Sequence, residues 1–343
     1  MDSEFSYVYN RILDATAFGS IATKPLCIYI IVTKTPKYMR TVSYFILNEL
    51  LWIFTVNFLF SLGHPLPLMP AVCFRMDGLM GDWIRAEFQQ SFYFMAMIVA
   101  VVNFCFGFGT TFIYRYVTLR FTTISRFQKA CGFALFAFVH LMMSLVVVFV
   151  FCFVQIPVKE YPEAYLLETT RNVFCFNPDT RIIFYTSLLF FVAIAIFIAL
   201  FAGLYIRELR SKIHVMEKKT LRMQKEIQRN LLIITGWSVL VGCVPAVIYA
   251  TFICHGKWPY ARVIAMISML FPLNHGTFYA IFILYLFKPY RKAMVDMAKE
   301  FQKCARKALP LCCPTTTNVV LPISATSTER RPRRTRPVGP KNA

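Results

Sequence analysis

Seven stretches of this chain are apolar for longer than a soluble helix or strand requires, and they decide what it can fold into. The windows run 12–33, 42–63, 88–112, 131–156, 182–206, 230–254 and 263–286. A bilayer core takes roughly 20 mostly apolar residues per helix, and each window reaches that length. Within lipid every backbone N–H and C=O has to be bonded inside its own segment, so such windows become helices. Composition agrees: of 343 residues only 16% are charged and 35 are Phe, against about 25% charged in soluble domains. The expected fold is an all-α membrane protein, a bundle of seven transmembrane helices. The first window is the weakest, because Asp14, Lys24 and Pro25 interrupt it. Met1 to Asn10 lacks the basic stretch and apolar core of a cleavable signal peptide, so the first span is expected to direct its own insertion.

Lys and Arg set the expected orientation. Loop one carries Lys34, Lys37 and Arg40, and loop three carries Arg115, Arg120, Arg126 and Lys129. Loop five, from Arg207 to Arg229, holds eight, and the segment after the seventh span holds thirteen. The N-terminus and the even loops together hold eight, among acidic residues such as Asp77, Asp82, Glu160 and Asp179. Basic residues gather in cytoplasmic loops, so the odd loops and the tail are expected inside and the N-terminus outside. The plan is then an extracellular N-terminus at 1–11, the bundle at 12–291, a juxtamembrane amphipathic helix at 292–313 and a disordered basic tail at 314–343. In the amphipathic segment Met294, Met297, Ala298 and Phe301 share one face. The net charge of +20 lies between apolar runs rather than on a polar fold, so membrane lipid and not nucleic acid is the expected partner.

Such a bundle is a receptor, or else a ligand-gated channel or transporter. Transporters carry internal repeats, matching broken helices and ionisable residues near the midplane. Here the halves do not match, and the third, fourth and fifth spans lack acidic residues. Loop five is rich in helix formers without Gly or Pro, and reads as basic extensions of the fifth and sixth helices, suited to a partner or to anionic lipid. No catalytic motif is present, the five His have no ligand spacing, and neither an enzyme, a cofactor nor a metal site is expected.

Several short motifs, in order, carry a resemblance. They are Lys34-Thr-Pro-Lys-Tyr-Met-Arg40 leading into Tyr44 to Trp52, then Pro65, Pro67, Pro70 and Gly78, then Arg115-Tyr116. Thr220, Leu221 and Gln224 follow, then Pro245, His275-Gly276 and Phe287-Lys-Pro-Tyr290-Arg291. Over about 34–291 the chain resembles the nematode serpentine chemoreceptors of the Str superfamily, most like class H, with class I or D as alternatives. That resemblance implies a G-protein-coupled receptor on the plasma membrane, on sensory cilia, taking a small-molecule odorant or pheromone and engaging a heterotrimeric G protein. It implies a switch or G-protein contact at Arg115, Tyr116, Thr220, Gln224, Tyr290 and Arg291. Arg115 also suits a snorkelling anchor at the interface. The chain departs from the rhodopsin-like pattern, with Tyr114-Arg115-Tyr116 for an acidic-Arg-Tyr triplet and no Asn-Pro-x-x-Tyr in the seventh span.

Other residues invite a role or a plainer reading. Depth counted from the inner ends puts Lys24 and Glu49 within roughly 3 Å of one level at about 1.5 Å per residue, so they either pair or Lys24 reaches water past a shorter span. Cys73 and Cys175 lie in even loops on the oxidising side, where a bond between them would roof a ligand cavity, with Cys254 a competing partner. Cys304, Cys312 and Cys313 are juxtamembrane candidates for palmitoylation, or simply reduced thiols. Phe92, Phe94, Phe104 and Phe271 are candidate walls of an apolar ligand site in the outer half. Asn274 and His275 are a polar hinge, a ligand contact or an interhelical hydrogen bond, with Gly276 permitting close approach. No Asn-x-Ser/Thr sequon is present, so N-glycosylation is not expected.

Overall fold

The computed structural model describes residues 2–121, 125–162, 171–212, 214 and 217–312. Among them are seven helices long and apolar enough to cross a membrane. These are α1 (Asp2–Lys34), α2 (Arg40–Gly63), α4 (Glu87–Arg120), α5 (Arg126–Val154), α6 (Arg181–Ser211), the pair α7 (Lys218–Trp237) and α8 (Val244–Cys254), and α9 (Ala261–Leu286). A short α3 (Leu79–Trp83) precedes α4, and α10 (Lys288–Cys312) follows α9. Two compact units divide the chain, 1–296 and 297–343.

Element edges shift in ways the local chemistry explains. Helix α1 begins at Asp2 rather than at residue 12, so 2–11 is its opening rather than a separate segment, with Glu4 near the end where a helix favours negative charge. Ser125 starts α5 with a capping box, its Oγ taking the Gln128 N–H while Gln128 Oε1 takes the Ser125 N–H. Helix α10 starts at Lys288, where Pro289 suits the first turn, and it runs to Cys312. The tail at 314–343 lies outside the described residues.

Between α7 and α8 the backbone forms a π-helical segment, Ser238–Cys243. Pro245, two residues past its end, has no N–H for the Val241 carbonyl, so the widened turn is where the sixth span absorbs its proline. Pro272 instead lies inside the continuous helix α9.

One end of the bundle carries a four-stranded antiparallel sheet, in the order β1 (Pro65–Pro67), β2 (Cys73–Met76), β4 (Val173–Phe176), β3 (Gln155–Ile156). Register sets Cys73 opposite Cys175, and the two form a disulfide. Beneath the sheet Phe74, Phe94, Phe151, Phe174 and Phe176 pack ring on ring, with centroids 4.9–6.5 Å apart. Helix α2 reaches this end through His64 in the left-handed conformation (φ 44°), and the buried imidazole stands 3.7 Å from Asp14, beyond hydrogen-bond range. The opposite end is formed by the turn between α1 and α2, the C-terminal ends of α4 and α6, and α7 with the start of α10.

Candidate functional site

A cavity of about 120 Å³ lies inside the bundle between α2, α4, α6, the π segment and α9. Phe104, Phe108 and Ile198 give it apolar walls, and Asn57, Ser238 and His275 give it polar points. Residues of the π turn and Pro272 both border it, positions at which the regular helical hydrogen bonding of the sixth and seventh spans is interrupted. His275 Nε2 lies 2.8 Å from Ser238 Oγ, which also bonds the Ile234 carbonyl at 2.9 Å, tying α9 to the π segment.

Below the cavity a polar network runs toward the loop-five end. The Phe108 ring meets Tyr279 edge-on at 5.9 Å. Tyr279 donates its hydroxyl to Glu49 Oε2, and Thr111 donates to Glu49 Oε1 at 2.6 Å. Glu49 is only 1% exposed, and Gly107 lets the α4 backbone approach it: a Cβ there would stand 3.0 Å from Glu49 Cγ. A buried carboxylate needs such donors, since an unpaired charge in low dielectric is far costlier than a paired one. Arg115, one turn beyond Thr111 on α4, is 4% exposed and has Glu49, Tyr114 and the Tyr205 hydroxyl as electrostatic neighbours. Its Nε and Nη2 have no hydrogen-bond partner. Tyr205 in turn donates to Gln224 Oε1 at 3.2 Å, which carries the network from α6 to α7.

The helix ends nearby are tied by ions. Arg120 and Lys212 flank Glu208 at 3.3 and 3.6 Å, and Lys212 donates to the carbonyls of Leu119 and Arg120. A cation over terminal carbonyls is favoured at a helix C-terminus. Asn230 on α7 donates to Leu286 O at 2.9 Å, holding the end of α9.

The expected residues divide sharply. Phe104 and His275 line the cavity, but Phe92 and Phe271 are about half exposed on the outer faces of their helices, and Phe94 belongs to the ring cluster under the sheet. Asn274 faces an outward groove between α1 and α9, where Thr16 reaches its Oδ1 at 3.4 Å. Arg115 and Gln224 join one network. Tyr116 packs edge-on against Phe201 at 6.1 Å, and Thr220 lies half-buried on α7. Tyr290 is fully buried, its hydroxyl 2.7 Å from Ser43 and 3.0 Å from Thr35, so it clasps α2 and the turn after α1 and has no surface for a partner. Arg291 is exposed and stacks over Tyr285. Cys304 is exposed, Cys312 closes α10, and Cys313 lies outside the described residues.

Lys24 and Glu49 are both buried, yet among the described residues no ion pair joins them. Lys24 Nζ points instead to the Ile53 carbonyl at 3.5 Å, one turn along α2 from Glu49. Counting depth from helix ends missed by that turn. The plainer alternative fails too, since Lys24 is 0% exposed within the bundle. Gly276 is what admits the ammonium, because a Cβ there would lie 2.8 Å from Nζ.

Thr111, Tyr205, Tyr279 and Asn57 belong to the site without falling in any of the sequence motifs. Thr111 and Tyr279 each sit four residues from a singled-out residue, Arg115 and His275, so helical phase alone could have marked them. Tyr205 and Asn57 carry no such local signal. Among the described residues no cluster of three or more His, Cys, Asp or Glu could hold a metal.

A family model described as serpentine type 7TM GPCR chemoreceptor Srh matches residues 4–300. Comparison with curated proteins gave no significant match.

Proposed function

The chain belongs to the Srh family of serpentine seven-transmembrane chemoreceptors, class H of the nematode Str superfamily, and on that premise we propose how it senses and signals. It is a multi-pass plasma-membrane receptor of the G-protein-coupled type. In our reading a small organic odorant or pheromone occupies the cavity between Phe104, Phe108 and His275. Occupancy favours one arrangement of the π segment and α9 over another, and a ligand shifts such an equilibrium only by its differential affinity. The shift passes through Tyr279 and Glu49 to Arg115, Tyr205 and Gln224, where a heterotrimeric G protein docks on α7 and the neighbouring helix ends.

The observation that carries this is the run of packed and hydrogen-bonded groups from the cavity wall to Glu49, with Arg115 as its electrostatic neighbour and Tyr205 leading on to Gln224 of α7, and with two buried nitrogens of the guanidinium left unbonded. A buried cation left so incompletely satisfied is poised to gain from a second arrangement. The disulfide and the distribution of Lys and Arg support placing the sheet end outside the cell and loop five inside. Family membership supports a station on sensory cilia, and the juxtamembrane Cys304, Cys312 and Cys313 are the proposed sites for acylation.

The test is a calcium or cAMP response to odorant mixtures in cells expressing the chain, with surface expression matched. Arg115→Ala is expected to abolish the response, and so is Gly242→Leu. Gly242 lines the cavity, and its Cβ would meet His275 only at ordinary contact distance, so the leucine fills the space without disrupting the backbone. A current that survives G-protein blockade, or responses intact in both variants, contradicts the reading.

A further inference from the structure

The cavity wall holds one polar atom with nothing to do. Asn57, on α2, is 2% exposed, and its Nδ2 donates to the Leu273 carbonyl at 2.6 Å. That bond fixes the orientation of the amide, because the flipped form would set its oxygen against a carbonyl oxygen. Oδ1 is therefore the free atom, and it has no hydrogen-bond partner. An orphaned acceptor in a buried wall gains from a ligand that donates and gains nothing from one that only accepts.

The remaining walls narrow the choice further. Ser238 and His275 are bonded to one another, and Ser238 also to Ile234, so their capacity is largely used within the protein. The Thr235 hydroxyl can donate or accept and so does not discriminate. No residue of the wall carries a carboxylate, ammonium or guanidinium, which disfavours an ionic ligand in so apolar a space. The volume, about 120 Å³, is close to that of apolar protein cavities of roughly 150 Å³ that take up benzene.

We propose that the cavity selects a small neutral ligand of the alcohol class, its hydroxyl donating to Asn57 Oδ1 and its hydrocarbon part lying among Phe104, Phe108 and Ile198. The inference rests on the cavity being the ligand site.

The probes are two isosteric sets: cyclohexanol, cyclohexanone and methylcyclohexane, and 1-butanol, butanal and pentane. Binding is read by ligand-observed NMR on the full-length receptor in nanodiscs, so no signalling step is involved. Each alcohol is expected to bind at least about 10-fold more tightly than its carbonyl and alkane partners, as an otherwise unmade buried hydrogen bond implies. Asn57→Leu is expected to level the three members of each set, and Gly242→Leu to abolish saturable binding of all of them. Should Asn57→Leu fail to fold, the wild-type ranking decides alone. Equal binding of alcohol and carbonyl, or a preference that survives in Asn57→Leu, overturns the alcohol assignment and leaves the cavity as the site. Binding unchanged in Gly242→Leu, or no saturable binding of any probe, overturns both.

Discussion

The two ends of this bundle are held by different physics. At the sheet end a disulfide, four antiparallel strands and five stacked Phe rings join the loops after α2 and α5 into one piece. A covalent link and dry aromatic packing have one good arrangement, and leaving it exposes both strand edges and ring faces. At the loop-five end the contacts are hydrogen bonds, ion pairs and charge interactions among Glu49, Arg115, Tyr205, Gln224, Arg120, Glu208 and Lys212, with two nitrogens of Arg115 left unbonded. Polar contacts exchange partners at little net free energy, since each lost bond is replaced by another. A receptor needs both properties, a fixed frame around the ligand and a transducing face with two arrangements close in energy.

That contrast breaks first at the disulfide. Replacing Cys73 and Cys175 by Ser opens a link across a sequence separation of 102 residues, and removing a native disulfide of this kind costs about 2–5 kcal/mol. Surface expression in intact cells should fall severely, and a double mutant that reaches the surface at wild-type level with unchanged thermal stability would show that the sheet holds without it.

A smaller effect is expected at the network. Tyr279→Phe takes one donor from the buried Glu49 carboxylate, at about 1–3 kcal/mol. Melting of the purified receptor should drop by a few degrees while basal G-protein signalling rises, because the link between cavity and Arg115 is cut. A drop in stability with signalling untouched would make Tyr279 a packing residue only.

The smallest effect concerns His64. Burial pushes its pKa down, against the pull of Asp14 and Asp77, so the native state keeps the imidazole neutral. The stabilisation is then present above the unfolded value of about 6.5 and is lost as pH falls through the native one. Melting temperature should decline between pH 7 and pH 5, and His64→Asn, which tolerates the same left-handed backbone, should flatten that decline. A slope identical in the variant would assign the acid sensitivity elsewhere.

The spans were readable from sequence because lipid leaves no alternative to long apolar helices. The sheet was not, because its strands are two to four residues long and pair residues 65–76 with residues 155–176, a relation no local pattern encodes. Arg115, Gln224, Phe104 and His275 could be singled out by motif or type, and the structure brings them onto one path. Phe92 and Phe271 could not be sorted from Phe104 by type, since with 35 Phe in the chain only helical phase separates wall from lipid face. Lys24 and Glu49 show the same limit: both proved buried, but a one-turn error in depth separated them.

The central claim is that the sheet end stays fixed while the loop-five end changes arrangement through Arg115. Spin-label pairs measured by pulsed electron resonance test it without a ligand. One pair replaces the exposed Tyr38 and Lys225 near the loop-five end, and the other replaces the exposed Trp83 and Tyr260 near the sheet. Arg115→Ala should broaden or shift the Tyr38–Lys225 distance distribution and leave the Trp83–Tyr260 distribution as in the wild type. Two unchanged distributions, or a change confined to the sheet end, would contradict the account.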